Sequence, residues 1–202
     1  MRIVAGEFRG RTIAAPDGEG TRPTTDRVRE ALFSSLYSLR GGFDDAVVLD
    51  AFAGSGALGL EALSRGARFA VFYERDPKAM AVCEDNARAL GVRSGSFECV
   101  KRDVMQNPPE GQEPPFDLVF LDPPYAFAPE DVAGLIESMR GNGALSDDAI
   151  VVYEHAIKTT RETTAAFGAA GLHIVASRKY GKTSVTVVDF GADEALEDEQ
   201  LD

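Results

Sequence analysis

The sequence contains few residues of the kinds that hold metal ions or form disulfide frameworks. Its 202 residues include two cysteines, Cys83 and Cys99, and two histidines, His155 and His173. The cysteines do not have CxxC spacing and lack a neighbouring histidine, so we predict two reduced thiols in or near the core and no metal site. Both histidines lie in apolar stretches, and we predict a chemical role for neither.

A long apolar run is also missing. No stretch approaches the roughly 18 consecutive apolar residues that a membrane-spanning helix needs, and the opening residues MRIVAGE do not form the apolar core of a signal peptide. Hydrophobic residues still make up 44% of the chain, which is enough to bury a sizeable core. We therefore expect a soluble, cytoplasmic monomer with one α/β domain, a small appendage and no membrane contact.

Basic residues are outnumbered, but they are unevenly distributed. The chain has 21 Lys and Arg against 33 Asp and Glu, a net charge of -12, whereas a nucleic-acid-binding protein is expected to present a basic surface. Residues 1–40 nevertheless contain seven arginines against five acids, and residues 189–202 contain seven acids and no base. We expect residues 192–202 to be a disordered acidic tail.

From residue 46 onward, short apolar runs alternate with helical patterns. The runs predict strands at 46–50, 68–73, 96–100, 116–121 and 149–153, with helices ending near 65, 90, 139 and 170. This alternation predicts a doubly wound, mostly parallel sheet. Two further runs, 172–176 and 184–190, are joined by a short link, so one of the seven strands should be antiparallel and lie at or near an edge.

The first 42 residues have a different pattern. Short apolar runs between Arg2 and Ala15 predict a small β-hairpin, residues 17–20 a turn, and apolar spacing after Thr24 or Thr25 a helix that ends at Gly41. We therefore divide the chain into an N-terminal extension (1–42), a catalytic domain (43–191) and the tail (192–202).

A glycine-rich loop follows the first predicted sheet strand. Gly54, Gly56 and Gly59 match G-x-G-x-x-G, and Glu74 lies twenty residues beyond Gly54. By count alone, this is a dinucleotide fingerprint. Asp50, however, directly precedes the loop, where a carboxylate would repel a pyrophosphate but suit the net positive charge of S-adenosylmethionine.

The string D-x-F-x-G-x-G at residues 50–56 resembles the first motif of class I methyltransferases. The resemblance implies a Rossmann-like, S-adenosylmethionine-dependent methyltransferase fold in which Glu74 accepts hydrogen bonds from the ribose hydroxyls and Asp103 lies near the adenine amine. The predicted cofactor-binding residues are Asp50, Phe52, Gly54, Ser55, Gly56, Glu74 and Asp103.

The tetrapeptide Asp122-Pro123-Pro124-Tyr125 ends the fourth predicted strand. The two prolines must stop the strand, and ligands of open α/β sheets bind at the carboxyl ends of strands. The Asp122 carboxylate and the Pro123 carbonyl can accept hydrogen bonds from an exocyclic amino group and stabilise its developing positive charge. Tyr125 offers a ring on which a base can stack. We predict Asp122, Pro123 and Tyr125 as the catalytic residues.

The two motifs together resemble those of amino-methyltransferases, and further strings narrow the resemblance. The chain is similar to the RsmD family of bacterial 16S rRNA (guanine-N2)-methyltransferases at RIVAG (2–6), RGR (9–11), TRPTTDRVREALF (21–33), LSRG (63–66), DPPY (122–125) and KYG (179–181). The resemblance covers nearly the whole chain except the tail. It implies a guanine in 16S rRNA as the target and the small ribosomal subunit, assembled or assembling, as the partner.

Several basic residues are candidate contacts for RNA phosphates. The guanidinium group matches phosphate geometry, and the predicted RNA-binding residues are Arg9, Arg11, Arg22, Arg27, Arg29, Lys179 and Lys182. Because the chain is acidic overall, we expect weak binding to naked RNA and selectivity for a particle that presents basic ribosomal protein.

Three alternatives remain open from the residues alone. The tetrapeptide chemistry also suits transfer to DNA adenine N6 or protein glutamine N5. A ribosome assembly factor could keep the fold without catalysis, although intact Asp50, Asp122 and Tyr125 argue against that. A NAD-dependent dehydrogenase would need a proton-transfer residue near the nicotinamide, and the sequence offers no strong candidate.

Overall fold

The computed structural model describes residues 1–16 and 26–191. The predicted turn at 17–20, Arg22, the threonines before the first helix and the predicted tail at 192–202 lie outside the described residues. Among the residues that are described, no helix is long and apolar enough to cross a membrane.

Seven strands and five α-helices follow the predicted order. The helices are α1 (Asp26–Arg40), α2 (Ala57–Ser64), α3 (Pro77–Leu90), α4 (Pro129–Gly141) and α5 (Thr160–Ala169). The strands are β1 (Val47–Asp50), β2 (Phe69–Tyr73), β3 (Phe97–Val100), β4 (Phe116–Leu121), β5 (Leu145–Ala156), β6 (His173–Tyr180) and β7 (Thr183–Asp189).

The strands form one sheet in the order β3-β2-β1-β4-β5-β7-β6. The first five are parallel to one another, and β7 runs antiparallel to both β5 and β6. The prediction of a mostly parallel sheet with one antiparallel strand near an edge is confirmed. Strand β5 is longer than predicted, beginning at Leu145 and ending at Ala156.

Helices cover both faces of the sheet, because side chains along each strand alternate between two hydrophobic clusters. Val48, Leu118 and Val152 pack with residues of α1, α2 and α3. Val119 and Val151 pack on the opposite face with residues of α4 and α5. Both cysteines are free thiols, buried at 83 and half-buried at 99, as predicted.

The N-terminal segment packs on the same face as α1, α2 and α3. Its predicted hairpin is reduced to a single antiparallel bridge between Arg2 and Thr12. Ile3, Phe8 and Ile13 are buried in the cluster that also contains the sheet residues of that face. The extension and the catalytic domain therefore share one hydrophobic core.

Candidate active site

A cavity of about 480 Å³ lies at the carboxyl ends of the parallel strands, a volume typical of small-ligand sites. It brings together nine of the predicted cofactor-binding and catalytic residues: Asp50, Phe52, Gly54, Ser55, Glu74, Asp103, Asp122, Pro123 and Tyr125. The structure thus collects, in one place, residues from the ends of four strands, β1, β2, β3 and β4.

Three carboxyl groups lie at the ends of neighbouring strands on one face of the sheet. Asp50 ends β1, Asp122 follows β4, and Glu154 lies near the end of β5. All three keep the alternation of the residues that face α1, α2 and α3. Because Leu121 pairs with Tyr153, Asp122 and Glu154 lie level with each other. We call Asp50, Asp122 and Glu154 the carboxylate row.

Burial makes Asp50 and Asp122 costly to ionise. Asp50 is 2% exposed, and its Oδ2 accepts a hydrogen bond from the Gly59 amide at 3.0 Å. Burial raises the pKa of Asp50 to about 7, against the partial compensation of that hydrogen bond and with a smaller contribution from Glu74. Burial, followed by the charges of Glu154 and Asp50, also raises the pKa of Asp122 well above its usual range. Such a site favours a bound cation, which fits the sulfonium and ammonium groups of S-adenosylmethionine.

The glycines of the loop after β1 have two different roles. A Cβ built on Gly54, at φ +53°, would meet open space, and the Gly54 amide donates to Glu74 Oε2 at 2.9 Å. A Cβ built on Gly56, at φ +79°, would come within 2.6 Å of Cys83 Sγ. A Cβ built on Gly59 would come within 2.4 Å of the Phe72 ring. Gly56 does not line the cavity. Gly56 permits close packing of the loop against α3, and its role as a cofactor contact stays a prediction.

Glu74 and Asp103 border the cavity and already accept backbone hydrogen bonds. Glu74 Oε1 accepts from the Asp76 amide at 2.8 Å, in addition to the Gly54 contact. Asp103 Oδ1 accepts from the Met105 amide at 3.0 Å, and Oδ2 lies 3.3 Å from Arg75. Each carboxylate oxygen has a second lone pair, so both side chains are held in place and keep capacity for a ligand.

The tetrapeptide after β4 presents an aromatic ring beside the carboxylate row. Pro123 is buried, whereas Tyr125 is 53% exposed. The Tyr125 hydroxyl lies 3.1 Å from Thr183 Oγ1 at the start of β7. Phe127 packs on Phe52 with ring centroids 6.2 Å apart. The exposed ring is thus fixed at its hydroxyl end, next to the hairpin that joins β6 and β7.

The structure corrects one of the predicted RNA contacts. Arg29 is fully buried, with Nη2 2.8 Å from Asp26 and Nε 3.7 Å from Glu61, so it cannot reach a phosphate. Arg11 donates through Nη1 to the Leu90 carbonyl at 2.5 Å and through Nη2 to Ala89, which caps the end of α3. Arg11 is nevertheless exposed, so it stays a predicted RNA contact.

The other predicted RNA contacts within the described residues are on the surface. Arg9, Arg27, Lys179 and Lys182 are exposed. Lys182 directly precedes Thr183, the hydrogen-bond partner of Tyr125, which places the two lysines of the β6–β7 hairpin beside the exposed ring.

Sequence reasoning missed two buried glutamates. Glu154 is 9% exposed and borders the cavity, and Glu61 on α2 is fully buried. The alternation of Ile150 and Val152 toward one face could have placed Glu154 there. Glu61 accepts hydrogen bonds from backbone amides of the N-terminal segment. Nothing in the local sequence of α2 indicates that role.

The sequence and the structure both resemble known proteins over most of the chain. Residues 1–189 match the model of a family described as conserved hypothetical protein 95. The chain is 39% identical over 171 residues to ribosomal RNA small subunit methyltransferase D of Escherichia coli, covering 82% of this chain and 80% of that protein. The chain belongs to the RsmD family. It is also 33% identical to the putative rRNA methyltransferase YlbH of Bacillus subtilis, covering 93% and 97% of the two chains.

A solved structure of similar sequence has the same architecture. The putative methyltransferase yhhF from Escherichia coli superimposes with a TM-score of 0.75 at 34% identity, covering 93% of this chain and 96% of that one. The fold is therefore that of class I methyltransferases. This family and fold argue against the NAD-dependent dehydrogenase that the glycine spacing alone allowed.

Proposed function

We propose that this protein transfers a methyl group from S-adenosylmethionine to the exocyclic N2 amine of a guanine in 16S rRNA. The observation that carries the proposal is the carboxylate row beside the Asp122–Tyr125 turn, in a cavity bordered by the glycine loop. The names of the relatives, an rRNA small subunit methyltransferase in Escherichia coli and a putative rRNA methyltransferase in Bacillus subtilis, support the same reaction class.

The cofactor half of the cavity is formed by the ends of β1, β2 and β3. When bound, S-adenosylmethionine supplies a methyl group on a positively charged sulfur. Asp50 provides buried negative charge for that cation. Glu74 keeps free lone pairs for ribose hydroxyls, and Asp103 keeps them for the adenine amine. Phe52, Gly54 and Ser55 form the adjoining wall.

The amine half of the cavity is formed by the turn after β4. The Asp122 carboxylate and the Pro123 carbonyl accept hydrogen bonds from the two N–H groups of the amine. These hydrogen bonds orient the nitrogen lone pair toward the methyl group. The new C–N bond would form as the bond between the methyl carbon and the sulfonium sulfur breaks, and the sulfur would leave as a neutral thioether. The nitrogen, positively charged after the transfer, would release one proton to the Asp122 carboxylate. The raised pKa of Asp122 suits this acceptance, because a basic carboxylate holds the proton better. Tyr125 stacks on the base.

The basic residues that the structure leaves on the surface would contact the RNA backbone. Arg9, Arg11, Arg27, Lys179 and Lys182 are the candidates. The net charge of -12 opposes binding to naked RNA, so an assembled or assembling small subunit is the better substrate. Equal methylation rates on protein-free rRNA and on subunits at physiological salt would contradict this part of the proposal.

Nucleoside mass spectrometry of rRNA from cells with and without the gene tests the proposed function. Deletion should remove one N2-methylguanosine from 16S rRNA, and the wild-type gene should restore it, whereas the Asp122→Ala gene should not. Loss of N6-methyladenine from DNA or of methylglutamine from a protein, with 16S rRNA unchanged, would show that the target is wrong.

A further inference from the structure

We propose that Glu154 selects guanine by accepting a hydrogen bond from its N1–H, while Asp122 accepts one from the adjacent amine. The proposal rests on the proposed function and assigns a base-recognition role to a residue that the methyl-transfer chemistry does not use. It follows from the placement of two carboxyl groups side by side at the same depth of the cavity.

Three observations place Glu154 next to the amine. The register pairs Leu121 of β4 with Tyr153 of β5, on adjacent parallel strands that lie about 4.8 Å apart, and Asp122 and Glu154 are the next residues of the two segments. Both residues border the same cavity. The charge of Glu154 is the second cause, after burial, of the raised pKa of Asp122, which fits two carboxyl groups placed side by side.

The backbone around Glu154 is firmly held. Glu154 pairs with Val185 of β7 on one side and lies beside β4 on the other. It is 9% exposed. A base whose position is fixed by Tyr125 stacking would therefore meet a preorganised acceptor, which is the condition for a selective contact.

The donor pattern of guanine matches two adjacent carboxyl groups. Its Watson–Crick edge presents the N1–H and the 2-amino group side by side, and both are donors. Adenine has an acceptor at N1, so its edge would place a lone pair against a Glu154 oxygen. Leaving a buried polar group unpaired costs more free energy than a good hydrogen bond gains. Asp122 and Glu154 together should therefore select guanine strongly over adenine.

The decisive experiment compares guanine with 2-aminopurine at the methylated position. 2-Aminopurine keeps the 2-amino group but has an acceptor at N1. Small subunits would be reassembled from 16S rRNA ligated to a synthetic segment that carries either base. The wild-type enzyme should prefer guanine in kcat/KM by at least about tenfold. In Glu154→Gln, the side-chain amide can donate to N1 of 2-aminopurine, so the preference should fall by at least about tenfold.

The controls separate failure of this inference from failure of the proposed function. Glu137→Gln on α4 removes the same charge from an exposed position and should keep the wild-type preference. 2-Aminopurine also lacks the O6 of guanine, and this loss affects every variant equally. Only the change in guanine preference between the wild type and Glu154→Gln therefore reports on Glu154. An unchanged preference in Glu154→Gln would overturn the inference. Absence of methylation on the guanine substrate by the wild-type enzyme would overturn the proposed function instead.

The wild-type measurement remains decisive if Glu154→Gln does not fold, as judged by its thermal unfolding. Equal wild-type rates on guanine and 2-aminopurine would then show that nothing in the site reads N1, and the inference would fail.

Discussion

Ionisation of Asp50 opposes folding, and under the proposed function it favours binding of the cofactor. Between pH 4 and 7, the folded protein retains a proton on Asp50 that the unfolded chain, with the ordinary value of 3.8, releases. The free energy of unfolding therefore falls as pH rises through this range, and the full cost is present above pH 7. A bound cation stabilises the ionised form, so cofactor binding recovers part of this cost.

Asp50→Asn should make the protein more stable and less able to bind its cofactor. At about 1.4 kcal/mol per pKa unit, we expect a gain of about 2–4 kcal/mol in the free energy of unfolding at pH 8, shrinking toward pH 4. In the wild type, affinity for S-adenosylmethionine should rise about tenfold from pH 6 to pH 8 and then level off. Urea unfolding and calorimetry measure the two effects.

The exposed Asp85→Asn is the matched control for this prediction, because Asp85 is 75% exposed on α3. It should change neither quantity. A wild-type affinity that stays flat between pH 6 and 8, or an Asp50→Asn variant that is less stable at pH 8, would contradict the account of the carboxylate row.

Gly56 and Gly54 should respond differently to alanine. Both have positive φ, which costs alanine about 1 kcal/mol at either position. At Gly56 the added methyl group would also overlap Cys83 Sγ, so Gly56→Ala should be destabilised by about 2–4 kcal/mol and Gly54→Ala by about 1 kcal/mol. Chemical denaturation measures both, and equal losses would show that the close approach to Cys83 does not matter.

Local sequence predicts residue types at the site better than it predicts their surroundings. The Asp122–Tyr125 turn could be placed because two prolines end a strand whatever lies around them. Arg29 could not be recognised as buried, because Glu61 comes within 3.7 Å of its guanidinium only when α1 and α2 pack together. The same holds for Gly56, whose neighbour Cys83 lies on α3.

At the scale of elements, α2 holds the N-terminal segment against the sheet. Glu61 accepts hydrogen bonds from the amides of Val4 at 2.7 Å and Ala5 at 3.0 Å, and from Arg65 Nε at 2.8 Å. Ser64 Oγ donates to the Ala5 carbonyl at 2.6 Å. The segment is therefore fixed by a buried carboxylate rather than by a β-ladder.

Glu61→Ala should destabilise the protein by about 3–5 kcal/mol. The substitution removes the buried carboxylate that faces the buried guanidinium of Arg29. Glu84→Ala, which removes an exposed partner of Arg88 on α3, should cost less than about 1 kcal/mol. Hydrogen exchange should show the amides of Val4 and Ala5 losing protection in Glu61→Ala alone. Retained protection there would mean that the segment is held by other contacts.

The ends of a strand were predictable where residues that break strands, such as proline, flank an apolar run. Strand β4 has the predicted bounds because proline lies on both sides of it. Strand β5 begins four residues earlier than predicted, at Leu145 rather than at residue 149. Its polar opening, Ser146-Asp147-Asp148, gives no local strand signal, and only the pairing of Leu145 with Phe116 on β4 extends it.

At the scale of the whole molecule, the proposed function requires a chain with net charge -12 to bind RNA through a small basic surface. Lys179→Ala combined with Lys182→Ala should weaken binding to small subunits and lower the slope of log affinity against log salt by about 1–2. Arg68→Ala combined with Arg93→Ala, two exposed arginines at the opposite end of the strands, is the control and should leave the slope unchanged. Titrations at several salt concentrations measure both, and equal slopes for the two pairs would exclude the β6–β7 hairpin from the RNA interface.

The most direct test of the account is single-turnover methyl transfer by Asp122→Ala with saturating S-adenosylmethionine and small subunits. Asp147→Ala, an exposed acid on β5, serves as the control. We predict that Asp122→Ala binds the cofactor within a few-fold of wild type but transfers the methyl group about 10²–10³ times more slowly. A wild-type transfer rate in Asp122→Ala would contradict the claim that this carboxylate holds the amine and receives its proton.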